Sequence, residues 1–206
     1  MKTLLIALAF TAACWGQFHR AEQDREIRYW LLEPESHQFR ISHDFTVSKP
    51  GQKSVHSFVR KGSVVTKSIV IDLNTGKELK TYNVTGKSVN DLGYYPQPSD
   101  PESVVVQADL EKPIAEGESV RVRVIETYTD PVGYRMDGNE LVWDRTLGRP
   151  FDEVTLPAGW MLISLSVPGI VSMDAGEGGV HLEFTNPRND EIHVVIKARR
   201  RGRASG

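Results

Sequence analysis

Alternation of apolar and polar residues runs through most of this chain. In "ESVRVRVIETYTD", Val120, Val122 and Val124 fall on one side and Arg121 and Arg123 on the other. "VVVQADL" sets Val104, Val106, Ala108 and Leu110 against Val105, Gln107 and Asp109. "GVHLEFTN" sets Val180, Leu182 and Phe184 inward, with His181 and Glu183 outward. A period of two with one polar face predicts antiparallel strands, packed on a core and wetted outside. Turn residues separate the runs. Asn74–Gly76 and Asp137–Gly138 are hairpin signals, and "KPGQ" at 49–52, "DAGEGG" at 174–179 and "NPRND" at 186–190 mark further reversals. The spacing predicts about a dozen short strands and no helix beyond one turn within "RAEQDREIRYW". The fold class is therefore all-β, an antiparallel β-sandwich of immunoglobulin-like or elongated form.

The domain runs from residue 25 to 198, with a candidate sub-boundary near 130; a single architecture is preferred because no linker-like tract is present. The longest irregular stretch is Gly86 to Ser103, which holds three prolines.

The N-terminus breaks the pattern. Lys2, the apolar run Thr3–Phe10 and small residues at 11–13 have the form of a removable export signal over residues 1–16, followed by a flexible segment at 17–24. The apolar run is about half the ~20 residues a membrane-spanning helix needs. The single cysteine, Cys14, is either lost with the signal or becomes a lipid-bearing first residue; "TAAC" has the small residues of a bacterial lipobox but Thr11 where leucine is usual. A lipid on Cys14 is the only membrane attachment expected. Localisation is then periplasmic, cell-envelope or secreted, and a domain without a disulfide must rest on its core. Roughly 190 residues bury about 70% of the unfolded surface, which suffices.

Without Lys2 the balance is 24 basic against 27 acidic residues, near −3, so nucleic acid is not an expected partner. The terminal "KARRRGRASG" reads as a basic, disordered tail over 199–206.

Four candidate sites were weighed. "SHQFRISHD" brings His37, His43 and Asp44 together, with His56 nearby. On one strand His37 and His43 would stand about 20 Å apart, too far to share a metal ion. A reversal at Pro50-Gly51 would make His43 and His56 diagonal neighbours across a hairpin, still without a third ligand. The histidines read as half-buried sheet residues, and no metal or cofactor is expected. Gly86-Lys87-Ser88 follows a strand, but Thr81 stands where a phosphate loop needs glycine, and Gly93, Pro96 and Pro98 follow instead of a helix. HExxH, GxSxG and CxxC are absent. "WDRTLGRPFDEVTLPAGW" gathers Asp144, Arg145, Arg149, Asp152 and Glu153; its mixed signs predict mutual ion pairs, with a small hydrolase using Asp144, Asp152 or Glu153 as the alternative function. Trp143, in phase with Leu141, belongs to the core.

The loop "LGYYPQPSD" carries the candidate partner surface: Tyr94, Tyr95 and Pro96, in a segment whose prolines bar it from a central strand. Such rings either stack on a glycan or anchor a protein partner, or else fold back and plug one end of the sandwich. Asn83 heads an N-glycosylation triplet, of consequence only in a eukaryotic secretory host.

The order "PIAEGESVRVRVIETYTD", then "GYR", then "VTLPAGWMLISLSVPG" resembles the N-terminal β-domain of zinc aminopeptidases over about 70 residues, on generic strand and turn positions. The metal-binding helix of that family has no counterpart. The resemblance therefore implies an accessory β-domain without its catalytic partner, and membership is not claimed. The expected function is that of an exported, non-enzymatic binding or structural module.

Overall fold

The computed structural model describes residues 24–174, 179–188 and 190–202. The signal over 1–16, Cys14, nearly all of the 17–24 segment and the last four tail residues lie outside the described residues.

Fifteen strands form three sheets among the described residues. They are β1 (Glu26–Leu31), β2 (Gln38–Val47), β3 (Ser54–Phe58), β4 (Val64–Asp72), β5 (Lys77–Leu79), β6 (Thr81–Thr85), β7 (Val104–Asp109) and β8 (Val120–Thr129). The second half supplies β9 (Tyr134–Asp137), β10 (Glu140–Leu147), β11 (Phe151–Thr155), β12 (Trp160–Leu165), β13 (Ile170–Met173), β14 (Val180–Thr185) and β15 (Ile192–Arg200). An eight-stranded sheet in the order β13-β14-β11-β1-β2-β8-β4-β5 is covered on one face by a four-stranded sheet, β12-β15-β10-β9, and a three-stranded sheet, β3-β7-β6. The all-β sandwich is as the alternation predicts. The large sheet draws strands from both sides of residue 130, so its hydrogen bonds run across that position.

Most of the predicted inward residues build the core; Val104, grouped with Val106 and Ala108, is instead 51% exposed, and Val105, set on the opposite side, is fully buried. Val122 and Val124 pack with Phe45, Val70, Val55 and Ala108 under the three-stranded sheet. Leu182 and Phe184 join Tyr29, Phe39, Leu141 and fully buried Trp143 under the four-stranded one. Burying each such side chain contributes about 1.5–3 kcal/mol. The two predicted hairpins form, between β4 and β5 and between β9 and β10. Gly138 turns the second with φ +58°, a conformation that disfavours side chains with a Cβ.

Several expectations are corrected. One pair, β1 with β11, is parallel, because 119 residues separate Leu31 from Phe151 and no short turn dictates its direction. The Pro50-Gly51 reversal makes no hairpin: β2 is already paired on both sides, by β1 and β8, so the chain crosses to the covering sheet, where β3 pairs with β7. A five-residue helix, α1 (Gly86–Asn90), occupies the stretch read as irregular, with Thr85 capping Ser88 N–H. Arg199 and Arg200 belong to β15, held between β10 and β12, rather than to a tail; Arg199 pairs with Glu140, and Arg200 with Glu33 while lying over Trp160.

Candidate functional site

The three-stranded sheet presents a face that nothing apolar from the large sheet covers. Successive residues alternate, so Val55 and Ala108 point to the core while His56, Gln107 and Tyr82 share the outer side, side by side on β3, β7 and β6. Helix α1 and the loop after it return across this side. The helix enters where Gly86 passes the loop's far end so closely that an added Cβ would stand 2.1 Å from the Asp100 carbonyl oxygen. Gly86 N–H donates to Ser103 O, Lys87 N–H to Pro101 O and Ser88 N–H to Thr85 Oγ1. The chain itself thus consumes the donors that a phosphate loop would offer. Asn90 stitches the loop to Ser99 through three hydrogen bonds.

So held, the loop lays Tyr94 and Tyr95 back over β3. Tyr94 Oη accepts from Lys53 N–H, and Lys49 lies over its ring while donating to Gly93 O. Tyr95 Oη is 3.1 Å from His56 Nδ1, and its ring stands edge-on to Phe58 at 5.5 Å. Tyr95 and Phe58 each remain 37% exposed, and Pro96 is exposed beside them. Burial pushes the Tyr95 hydroxyl up to about 12, so it stays protonated.

A hydrogen-bond chain continues from His56. Its Nε2 lies 3.1 Å from Gln107 Oε1; Gln107 Nε2 donates to Tyr82 Oη at 2.7 Å and to Asp109 Oδ1 at 3.3 Å; Tyr82 Oη donates to Asp109 Oδ1 at 2.8 Å. Burial lowers the His56 pKa, favouring the neutral ring that accepts at Nδ1 and donates at Nε2. The bond to Asp109 raises the Tyr82 pKa. Sequence reading singled out Tyr94, Tyr95 and Pro96 but missed His56, Tyr82, Gln107 and Asp109 as their neighbours. Strand alternation could have grouped Gln107 with Asp109; nothing in the sequence pairs β7 with both β3 and β6.

The other candidates disperse. His37 precedes β2 in a left-handed conformation, with Nδ1 2.8 Å from Tyr134 O, and so does not share the strand face. His43 does share it with Phe39, Ile41 and Phe45, and burial, with help from Arg149 and Arg25, holds its pKa well below the usual value. Asp44, on the opposite face, is bound bidentately by Arg123 at 2.7 and 2.6 Å. Among the described residues, no group of three or more His, Cys, Asp or Glu could hold a metal ion.

The carboxylates near Trp143 do not pair with the arginines beside them as expected. Asp144 bonds His193 across to β15, Arg145 bonds Asp130, and Glu153 meets Arg28 of β1 and His181 of β14. Strand geometry gives the reason: cross-strand neighbours lie closer than residues along a strand. Asp152 and Glu153, consecutive on β11, point to opposite faces, and Asp144 is in another sheet. Asp152 and Glu153 nonetheless line one open cleft, with Arg28, Phe151, Glu183 and Phe184, while Asp144 takes no part in it. In that cleft Asp152 is 3% exposed and Glu153 is engaged by Arg28 and His181. His181 stands between Asp174 and Glu153, which raise its pKa, the Asp174 bond foremost.

The chain matches no family model and no curated protein. Among solved structures it is similar to an M1 zinc metallopeptidase from Deinococcus radiodurans, at 13% identity and a TM-score of 0.48, over 85% of this chain and 41% of that one. It is also similar to an aminopeptidase N family protein from Idiomarina loihiensis, at 8% identity and 0.46, over 84% of this chain and 29% of that one. The chain thus spans less than half the length of these structures.

Proposed function

We propose that this protein is an exported, non-enzymatic β-sandwich module that binds a glycan or protein partner in the cell envelope or extracellular space, through the outer face of its three-stranded sheet. The observation that carries the reading is the aromatic shelf. Tyr94 and Tyr95 are fixed by bonds to Lys53 and His56, yet the Tyr95 and Phe58 rings stay open to solvent. Aromatic rings held in place before binding lose little entropy on contact, which suits them as anchors.

Replacing Tyr94 and Tyr95 together by alanine is expected to weaken partner capture by more than about 1 kcal/mol, or roughly fivefold, while leaving the melting temperature within about 2 °C. A fall in melting with binding unchanged would make the rings plugs and remove the reading. Export is tested separately, by the intact mass of the mature product from a bacterial host. The expected mass fits either a lipid-bearing Cys14 or a start near Trp15 or Gln17. An uncleaved chain refutes export.

A further inference from the structure

The hydrogen-bond chain on the outer face has a direction, and the direction selects a ligand. Tyr95 Oη, His56 Nε2, Gln107 Nε2 and Tyr82 Oη each donate to the next group along, ending on Asp109. The donors of this row are therefore engaged within the protein. What the row still offers outward is acceptor capacity: the second Asp109 carboxylate oxygen, the second lone pair of Gln107 Oε1 and the free lone pairs of the two phenols. Tyr82, 40% exposed, and Tyr95, 37% exposed, flank this strip. His56 and Tyr82 stand two strand spacings apart, roughly 10 Å, on either side of Gln107, and the Tyr95 ring centre lies 5.8 Å from that of His56.

A complementary ligand must supply hydrogen-bond donors and a flat C–H face to lie on the rings. Phosphates and carboxylates supply only acceptors and would be repelled by Asp109. A cationic ligand would meet Lys49, which lies over the Tyr94 ring, and the chain at Lys80, whose carbonyl receives the Asp109 N–H, so the face does not select a cation either. A neutral ring bearing hydroxyls satisfies both demands.

We propose that this face, from Tyr95 across Gln107 to Tyr82 and Asp109, is a subsite for a neutral pyranose unit of a glycan. The inference rests on the binding-module reading and narrows its partner. Sugar C–H groups lie on the tyrosine rings, and ring hydroxyls donate to Asp109 and Gln107.

The test is an NMR titration of the isotope-labelled mature chain with cellotetraose, chitotetraose and mannotetraose, with glucose 6-phosphate and spermidine as charged probes. At least one neutral tetrasaccharide is expected to shift the amides of residues 54–58, 81–85 and 104–109. Tyr82→Ala is expected to weaken that binding about tenfold, and Tyr82→Phe, which keeps the ring, by less. Melting temperatures of both variants show whether the sheet is intact. The inference is overturned if none of the three sugars moves these amides, if a charged probe binds there more tightly, or if binding survives Tyr82→Ala. Loss of the sugar inference alone leaves the Tyr94 and Tyr95 result standing. Sugar binding that is indifferent to the Tyr94 and Tyr95 replacement but lost in Tyr82→Ala would overturn the inclusion of Tyr95 in the subsite and remove the loop reading.

Discussion

Replacing Arg145 by alanine is expected to cost about 3–5 kcal/mol of stability. The guanidinium is buried between the two layers, 4.9 Å from the ring centre of Phe39 and 5.4 and 5.6 Å from those of Tyr128 and Tyr29. It donates to Asp130 at 3.3 Å, and Asp130 is itself buried. Alanine would remove three ring contacts, leave a cavity and strand the Asp130 carboxylate with only the Gly133 N–H as partner. At ~2–4 °C per kcal/mol for a chain of this size, melting should fall by about 6–20 °C. Arg145→Met separates the causes, since it refills the volume without the charge. A melting temperature within 3 °C of the parent for Arg145→Ala would show that the buried pair contributes nothing net.

Asp152→Asn should act in the opposite direction, and only above acid pH. Asp152 is 3% exposed, and neither carboxylate oxygen has a hydrogen-bond partner among the described residues. Burial pushes its pKa from 3.8 up to about 7, against a partial pull downward by Arg149 and Arg145. Between these values the folded chain keeps a proton that the unfolded chain releases, so stability from this group is present below pH ~4 and lost as pH rises through about 7. The rise corresponds to about 4 kcal/mol against the ionised form. Asparagine carries no charge, and its unpaired amide replaces a protonated carboxyl that is equally unpaired, so the two proteins should melt within about 2 °C of each other at pH 4. At pH 8 the variant escapes the ionisation cost and should melt about 8 °C or more above the parent, at ~2–4 °C per kcal/mol. His43 and His56, whose pKa values are lowered, impose the reverse slope on both proteins, and the difference between variant and parent cancels it. Equal melting at pH 8 would mean that Asp152 ionises without cost.

Glu126 shows how the split cover shapes the interior. It lies on the inward face of β8 in phase with Val122, Val124 and Tyr128, yet it is fully buried. Ser57 of the three-stranded sheet donates to it at 3.0 Å, and Ser68 of β4 at 3.4 Å. Burial raises its pKa. Its neighbours Val122 and Val124 belong to one core cluster and Tyr128 to the other, so the polar group sits at the seam between them. The alternation in "VRVRVIETYTD" marks the position as inward; the serines that make a glutamate tolerable there come from 69 and 58 residues away.

The same division holds throughout. Period-two patterning and turn residues by themselves determined that this is a β-sandwich, which faces of β8 and β14 enter the core, and where the β4–β5 and β9–β10 hairpins turn. These are local properties, set by the pleat and by backbone sterics. Only the tertiary structure decided which strands pair. It set β1 parallel to β11, sent β3 into a covering sheet away from β2, and took Arg199 and Arg200 into β15. It also decided the candidate site, because Tyr95, His56, Gln107, Tyr82 and Asp109 come from four segments that meet only once β7 lies between β3 and β6. Strand partners are chosen by long-range packing and by which edges remain open, and neither is written in the spacing of residues along one strand.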